Sequence, residues 1–175
     1  MMGHGAERAF RAQLFLPEQR QLFDYWLSRR GDGAMPMRSD ISPADFPSLL
    51  PYVSILELRA RPDIIRFRLA GTALWDMYGG EMTGCTLADA GRWGDNHGYW
   101  ERNYSLISEE MQPAAGMLKA PSNDREHLVQ FWIRLPLAGG DGRPNMLLGL
   151  DMCVAASRLK GASGSPDDVL AIGAG

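Results

Sequence analysis

The chain has 175 residues, 45% of them hydrophobic and 22% charged, with a formal net charge of −3. That length suits one domain of the usual ~100–200 residues, and a chain of this size buries about 70% of its unfolded surface, which excludes global disorder. The slight acidity offers no basic stripe for nucleic acid, and no apolar run approaches the ~20 residues of a membrane span.

The 18 basic residues are 16 arginines and two lysines, Lys119 and Lys160, a bias that genomic composition explains as well as chemistry does. Cys85 and Cys153 form no metal-ligand spacing and no disulfide framework. Two isolated cysteines and an N-terminus without an apolar leader fit a cytoplasmic setting.

Residues 1–16 are expected to be a flexible N-terminus. An amphipathic helix is expected over 17–30: Pro17 suits its first turn, Leu22, Phe23, Trp26 and Leu27 share a stripe, and Gly31-Asp32-Gly33 stops it. Four prolines, Pro36, Pro43, Pro47 and Pro51, then limit a connector to short turns, with Ser42 as a cap. Strands follow at 52–59 and 64–70 across an Arg61-Pro62-Asp63 turn. Thr72 caps a short helix ending at Tyr78 before Gly79-Gly80, and Thr86-x-x-Asp89 suggests another around 87–91. The longest later helix is expected over 96–111, capped by Asp95, with His97, Trp100, Tyr104, Ile107 and Met111 on one face. Strands at about 114–120, 126–137 and 145–155 follow, the last two joined by the turn chemistry of residues 138–144. After Ser157 the composition falls to Gly, Ala, Ser and Asp, expected as a flexible tail over 156–175 with a short turn near 167–172.

The order helix, two strands, short helices, long helix, three strands gives an α+β domain. With Tyr25-Trp26, Pro36-x-Arg38-x-Asp40-Ile41-x-Pro43, Phe67-Arg-Leu-Ala-Gly-Thr72, Gly80-Glu-Met-Thr-Gly84 and the segment 135–149, it resembles a PAS domain, and more narrowly the single-domain PAS-type family of alphaproteobacteria. The resemblance covers roughly 20–155 and implies a PAS-like core at 52–155: a five-stranded antiparallel sheet with helices on its concave face, preceded by the helix and connector of 17–51. It also implies a sensory or protein-interaction module in bacterial signal transduction.

On that fold the inner sheet face is expected to carry Ile65, Phe67, Leu69, Val129, Phe131, Ile133, Leu148, Leu150 and Met152, against the stripe His97, Trp100, Tyr104 and Ile107. The candidate ligand-binding set is Phe67, His97, Trp100, Tyr104, Met117, Phe131 and Met152, in which methionine adapts to irregular ligands and Tyr104 and His97 are polar handles. The outer face is expected to carry Arg66, Arg68, Gln130, Trp132, Arg134 and Leu147, covered by the helix over 17–30 in its own subunit or exchanged. Phe23, Trp26, Arg66, Arg68, Trp132 and Arg134 are therefore the candidate partner interface of a homodimer or of a signalling partner.

No cofactor is assigned. A lone His97 does not make a haem site, and the Asn-Cys-Arg-Phe-Leu-Gln type of motif of light-sensing relatives is absent, Cys85 standing in Gly84-Cys-Thr86, so neither haem nor flavin is expected. No catalysis is expected either: the three histidines are scattered, and Gly139-Gly-Asp-Gly142 lacks the residues that complete a cyclase signature. Asp151 in an apolar strand needs a partner, for which Arg66 or Arg68 on the outer face is the expectation. The alternative is a cone-shaped α+β enzyme or carrier for an apolar molecule, with His97 or Tyr104 as acid or base.

Overall fold

The computed structural model describes residues 2–58, 65–89, 93, 96–110, 112–121 and 127–161. Two helices, α1 (His4–Gln13) and α2 (Pro17–Arg29), lead into three 3-10 turns at Arg38–Asp40, Pro43–Asp45 and Pro47–Tyr52. Then come β1 (Val53–Glu57), β2 (Arg66–Ala70), α3 (Thr72–Tyr78), α4 (His97–Glu110), β3 (Ala114–Lys119), β4 (Leu128–Ala138) and β5 (Pro144–Ala155), closed by a 3-10 turn at Ala156–Gly161. The strands form one antiparallel sheet in the order β2-β1-β5-β4-β3.

Both faces of this sheet are covered. On one, α1, α2 and the connector bury Phe10, Leu22, Phe23, Trp26, Phe46 and Leu49 against Ile55, Ile133, Leu135, Leu148 and Leu150. On the other, α3, α4 and the chain between β2 and β3 bury Met77, Tyr78, Trp93, Trp100, Tyr104 and Ile107 against Leu56, Phe67, Trp132 and Leu147.

This arrangement corrects the expected faces of β4 and β5. Phe131, Ile133, Leu148 and Leu150 face the N-terminal helices, and Gln130, Trp132 and Arg134 face α4. Alternation separates the two faces of a strand but does not say which cover each receives. β2 departs in a second way: Leu56 pairs with Phe67 while Ile55 pairs with Leu69, so Arg68 is the extra residue of a bulge. Phe67 and Leu69 therefore stand on opposite faces, Phe67 buried and Leu69 45% exposed.

The expected flexible N-terminus is also corrected, because residues 4–13 form a helix with Phe10 and Leu14 buried. Glu7 holds Arg30 at 2.5 Å and Arg11 makes two hydrogen bonds to Asp24, fixing α1 along α2. Gln19 caps the start of α2 by accepting from the backbone N–H groups of Phe15 and Leu16. The Thr86–Asp89 capping pair is present, with Thr86 N–H donating to Asp89 Oδ2 at 2.6 Å. The Arg61–Asp63 turn, the Asp95 cap, Met111 and the turn near 167–172 lie outside the described residues, as does most of the second half of the helix expected around 87–91.

Candidate functional site

At the centre of the α4-covered face, β4 and β5 place Gln130, Trp132 and Arg134 beside Gly149 and Asp151, and β1 adds Ser54. Arg134 is fully buried, 17 residues from the carboxylate that pairs with it: its Nη2 donates to Asp151 Oδ1 at 2.9 Å. Its Nη1 donates to the carbonyls of Ile133 and Leu150, and its Nε to the Tyr104 hydroxyl. The rings of Trp100, Trp132 and Tyr104 surround the guanidinium, with centroids 4.9, 5.7 and 6.0 Å from its carbon. Trp132 is held in turn by a hydrogen bond from its Nε1 to the Tyr99 hydroxyl.

Gln130 completes the set. Its amide nitrogen donates to Asp151 Oδ1 and to the Tyr78 hydroxyl, both at 2.8 Å. An ionised carboxylate only accepts, so this contact fixes which way the amide points. Three buried oxygens are left without a protein partner: Asp151 Oδ2, Gln130 Oε1 and Ser54 Oγ. Buried oxygens without a donor are costly, of the order of 1–3 kcal/mol each. The sheet packs closely around them at Gly149, where a Cβ would stand 2.5 Å from Ser54 Oγ and 3.0 Å from Arg134 Nη1.

The electrostatics of the cluster favour a charged pair among neutral tyrosines. Burial works against the Arg134 charge, but the Asp151 carboxylate together with the neighbouring Tyr104 and Tyr78 outweighs it and raises its pKa. Burial pushes the hydroxyls of Tyr78 and Tyr104 above their ordinary value, helped by the Asp151 charge, so both stay protonated donors and acceptors at neutral pH.

The seven residues expected to bind a ligand do not line one cavity. Trp100 and Tyr104 belong to the Arg134 cluster, and Phe67 joins the same core through Trp93, with ring centroids 5.7 Å apart. His97 opens α4, about 10 Å along the helix axis from Tyr104, and is half-buried. Met117, Phe131 and Met152 sit in register across β3, β4 and β5 on the opposite face. There Met117 and Phe131, with Phe10, Leu14, Phe15 and Gln19, line a cleft of about 80 Å³ over which Phe15 stacks on Phe131.

The expected partner interface is corrected more strongly. Phe23 and Trp26 are buried against their own sheet, Trp26 donating through Nε1 to the Pro136 carbonyl at 2.9 Å. Trp132 and Arg134 are fully buried beneath α4. Only Arg66 and Arg68 face solvent, and neither is the partner of Asp151. Sequence reasoning missed Ser54, Tyr78, Gly149 and the Arg134–Asp151 pairing. A basic and an acidic residue on adjacent strands, each flanked by apolar residues, was the available signal.

Among the described residues no group of His, Cys, Asp or Glu is placed to hold a metal ion, and no helix is long and apolar enough to cross a membrane. A five-stranded antiparallel sheet in this order, with the helices between its second and third strands packed on one face, defines the class of fold. The model of the family described as PAS domain matches residues 14–152, and the chain belongs to the PAS domain family. A solved structure described as "Flavin Analogue Sheds Light on Light-Oxygen-Voltage Domain Mechanism" is similar with a TM-score of 0.50 at 14% identity, over 67% of this chain and 87% of that one. A sensory box sensor histidine kinase from Vibrio cholerae is similar at 11% identity with a TM-score of 0.46, over 64% of this chain and 88% of the other. A Rhodobacter sphaeroides LOV protein is similar at 15% identity with a TM-score of 0.46, over 71% of each chain. At these identities the likeness concerns fold. No curated protein matches the chain.

Proposed function

We propose that the chain is a sensory or regulatory module of bacterial signal transduction, and that it acts by binding rather than by catalysis. The reading is carried by the Arg134–Asp151 cluster. Three oxygens without a protein partner lie buried on the face that carries a charge pair that cancels itself, so the fitting ligand is small, uncharged and rich in N–H or O–H donors. PAS domains are in general sensory rather than catalytic, which disfavours the cone-shaped enzyme or carrier. Tyrosines held neutral by burial suit hydrogen bonding better than proton abstraction.

Output then depends on a partner, either a second copy or another signalling protein. With Phe23 and Trp26 committed to the chain's own core, and the outer edge of β2 already bonded by residues 84–87, the surface proposed for it is the exposed side chains of Arg66 and Arg68 with Trp75 of α3, 55% exposed.

Native mass spectrometry of protein purified from its host tests the ligand directly. The expected result is one small-molecule mass per chain, with occupancy reduced in Ser54→Ala. Protein that is ligand-free in every preparation would overturn the small-molecule reading.

A further inference from the structure

The bulge in β2 builds a second feature, on the sheet face opposite the Arg134 cluster. By turning Leu69 away from Phe67 it places Leu69 beside Val53, Ile55 and Leu148, and the connector closes over the other side with Ile41 and Phe46. Between these walls lies a groove of about 480 Å³, within the roughly 300–1,000 Å³ of small-molecule sites. Its sides are stiff: Pro43, Pro47 and Pro51 fix the connector, and Gly71 lies so close that a Cβ there would collide with the carbonyl oxygens of Leu50 and Pro51.

The lining is apolar but for Thr72 and one cation. Arg38, half-buried, donates through Nη1 to the Ile41 carbonyl at 3.1 Å and has no carboxylate partner among the described residues. The other charged side chains nearby are spoken for elsewhere: Asp40 accepts from the Met37 N–H, and Asp45 holds Arg29 and Tyr25. A guanidinium with spare N–H donors at an apolar groove selects an anion that carries a hydrocarbon tail, because the head gains charge-assisted hydrogen bonds while the tail leaves water.

We propose that this groove binds a small amphipathic carboxylate, a medium-chain acyl or aryl acid, with its carboxylate on Arg38 and its tail along Leu69, Ile55 and Leu148. The site is distinct from the Arg134 cluster in face and in ligand charge, so the two readings stand or fall separately.

Titration of the full chain with octanoate, followed by calorimetry and by methyl NMR, tests the proposal, with 1-octanol as the uncharged probe. Saturable binding of one octanoate is expected, with shifts at Ile41, Ile55, Leu69 and Leu148 and not at Ile107 of α4. Arg38→Gln should weaken octanoate about tenfold and leave octanol within twofold, the loss of one charge-assisted contact. Leu69→Glu, at a position exposed enough to tolerate it, should abolish octanoate binding while the thermal midpoint is kept. Absence of saturable binding, shifts centred on α4, or equal loss of octanoate and octanol in Arg38→Gln would each overturn the proposal. So would a dimer that Leu69→Glu dissociates while octanoate fails to bind, an outcome that assigns the groove to a second copy.

Discussion

The two faces of one sheet are buried by opposite means. Beneath α1 and α2 the contacts are hydrocarbon and ring: Ile133, Leu135, Leu148 and Leu150 pack on Phe23 and Trp26, with the polar Trp26 Nε1 and the Gln19 amide both satisfied. Beneath α4 the same two strands present an arginine, an aspartate and a glutamine, and leave three oxygens unpaired. Hydrocarbon packing is the cheaper way to hold a helix to a sheet, since a buried ion pair often stabilises no better than apolar residues of equal volume. The first face is held mainly by hydrocarbon packing, and the second by a buried polar network.

The largest expected effect breaks that second face. Asp151→Leu leaves Arg134 buried without its counter-charge and should destabilise the fold by about 3–5 kcal/mol in denaturant unfolding. A smaller test compares the faces at matched depth. Gly149→Ala forces a methyl against Ser54 Oγ and Arg134 Nη1 and should cost about 1–3 kcal/mol, whereas Ile133→Val on the hydrocarbon face should cost about 0.5–1.5 kcal/mol. If Gly149→Ala proved neutral, the close fit around the unpaired oxygens would be refuted.

The smallest effects are set by pH and separate the faces by sign. Burial raises the pKa of Tyr78 and Tyr104 above the ordinary 10.0, so the unfolded chain releases these protons first and the α4 face loses stability as pH rises beyond 10. Glu7 behaves oppositely. Burial works against its charge, but hydrogen bonds from Arg30 and His4 hold its pKa below the ordinary 4.5, so what it contributes is present above 4.5 and is lost as pH falls through the lower folded value. Hydrogen exchange should show α1 loosening first in acid and α4 first in alkali, and the reverse order would contradict the assignment of these contacts.

Much of this molecule can be read from residue pattern, and the failures have physical causes. The helix beginning at Pro17, the five strands and the long helix through Trp100 and Tyr104 follow from periodicity and punctuation alone. The helix at 4–13 escaped because only Phe10 and Leu14 mark its apolar side, although their spacing of four, repeated by Glu7 and Arg11, was a usable sign. The faces of β4 and β5 escaped because a strand buried on both sides carries two stripes, and Phe131, Ile133 and Leu135 look equally suited to either cover. The β2 bulge has no local mark around Arg68, so Leu69 was placed beside Phe67. The Arg134–Asp151 pair depends on strand register, which single-residue pattern does not contain.

The double variant Arg134→Met with Asp151→Leu tests most directly whether the charged face serves ligand binding and not stability. Replacing both partners removes the buried charges together, and unfolding with native mass spectrometry on the same sample reads both properties. The account expects a protein at least as stable as the parent that no longer carries the small molecule of the α4 face. A double variant that unfolds more readily than Asp151→Leu alone, or one that keeps the bound molecule, would contradict it.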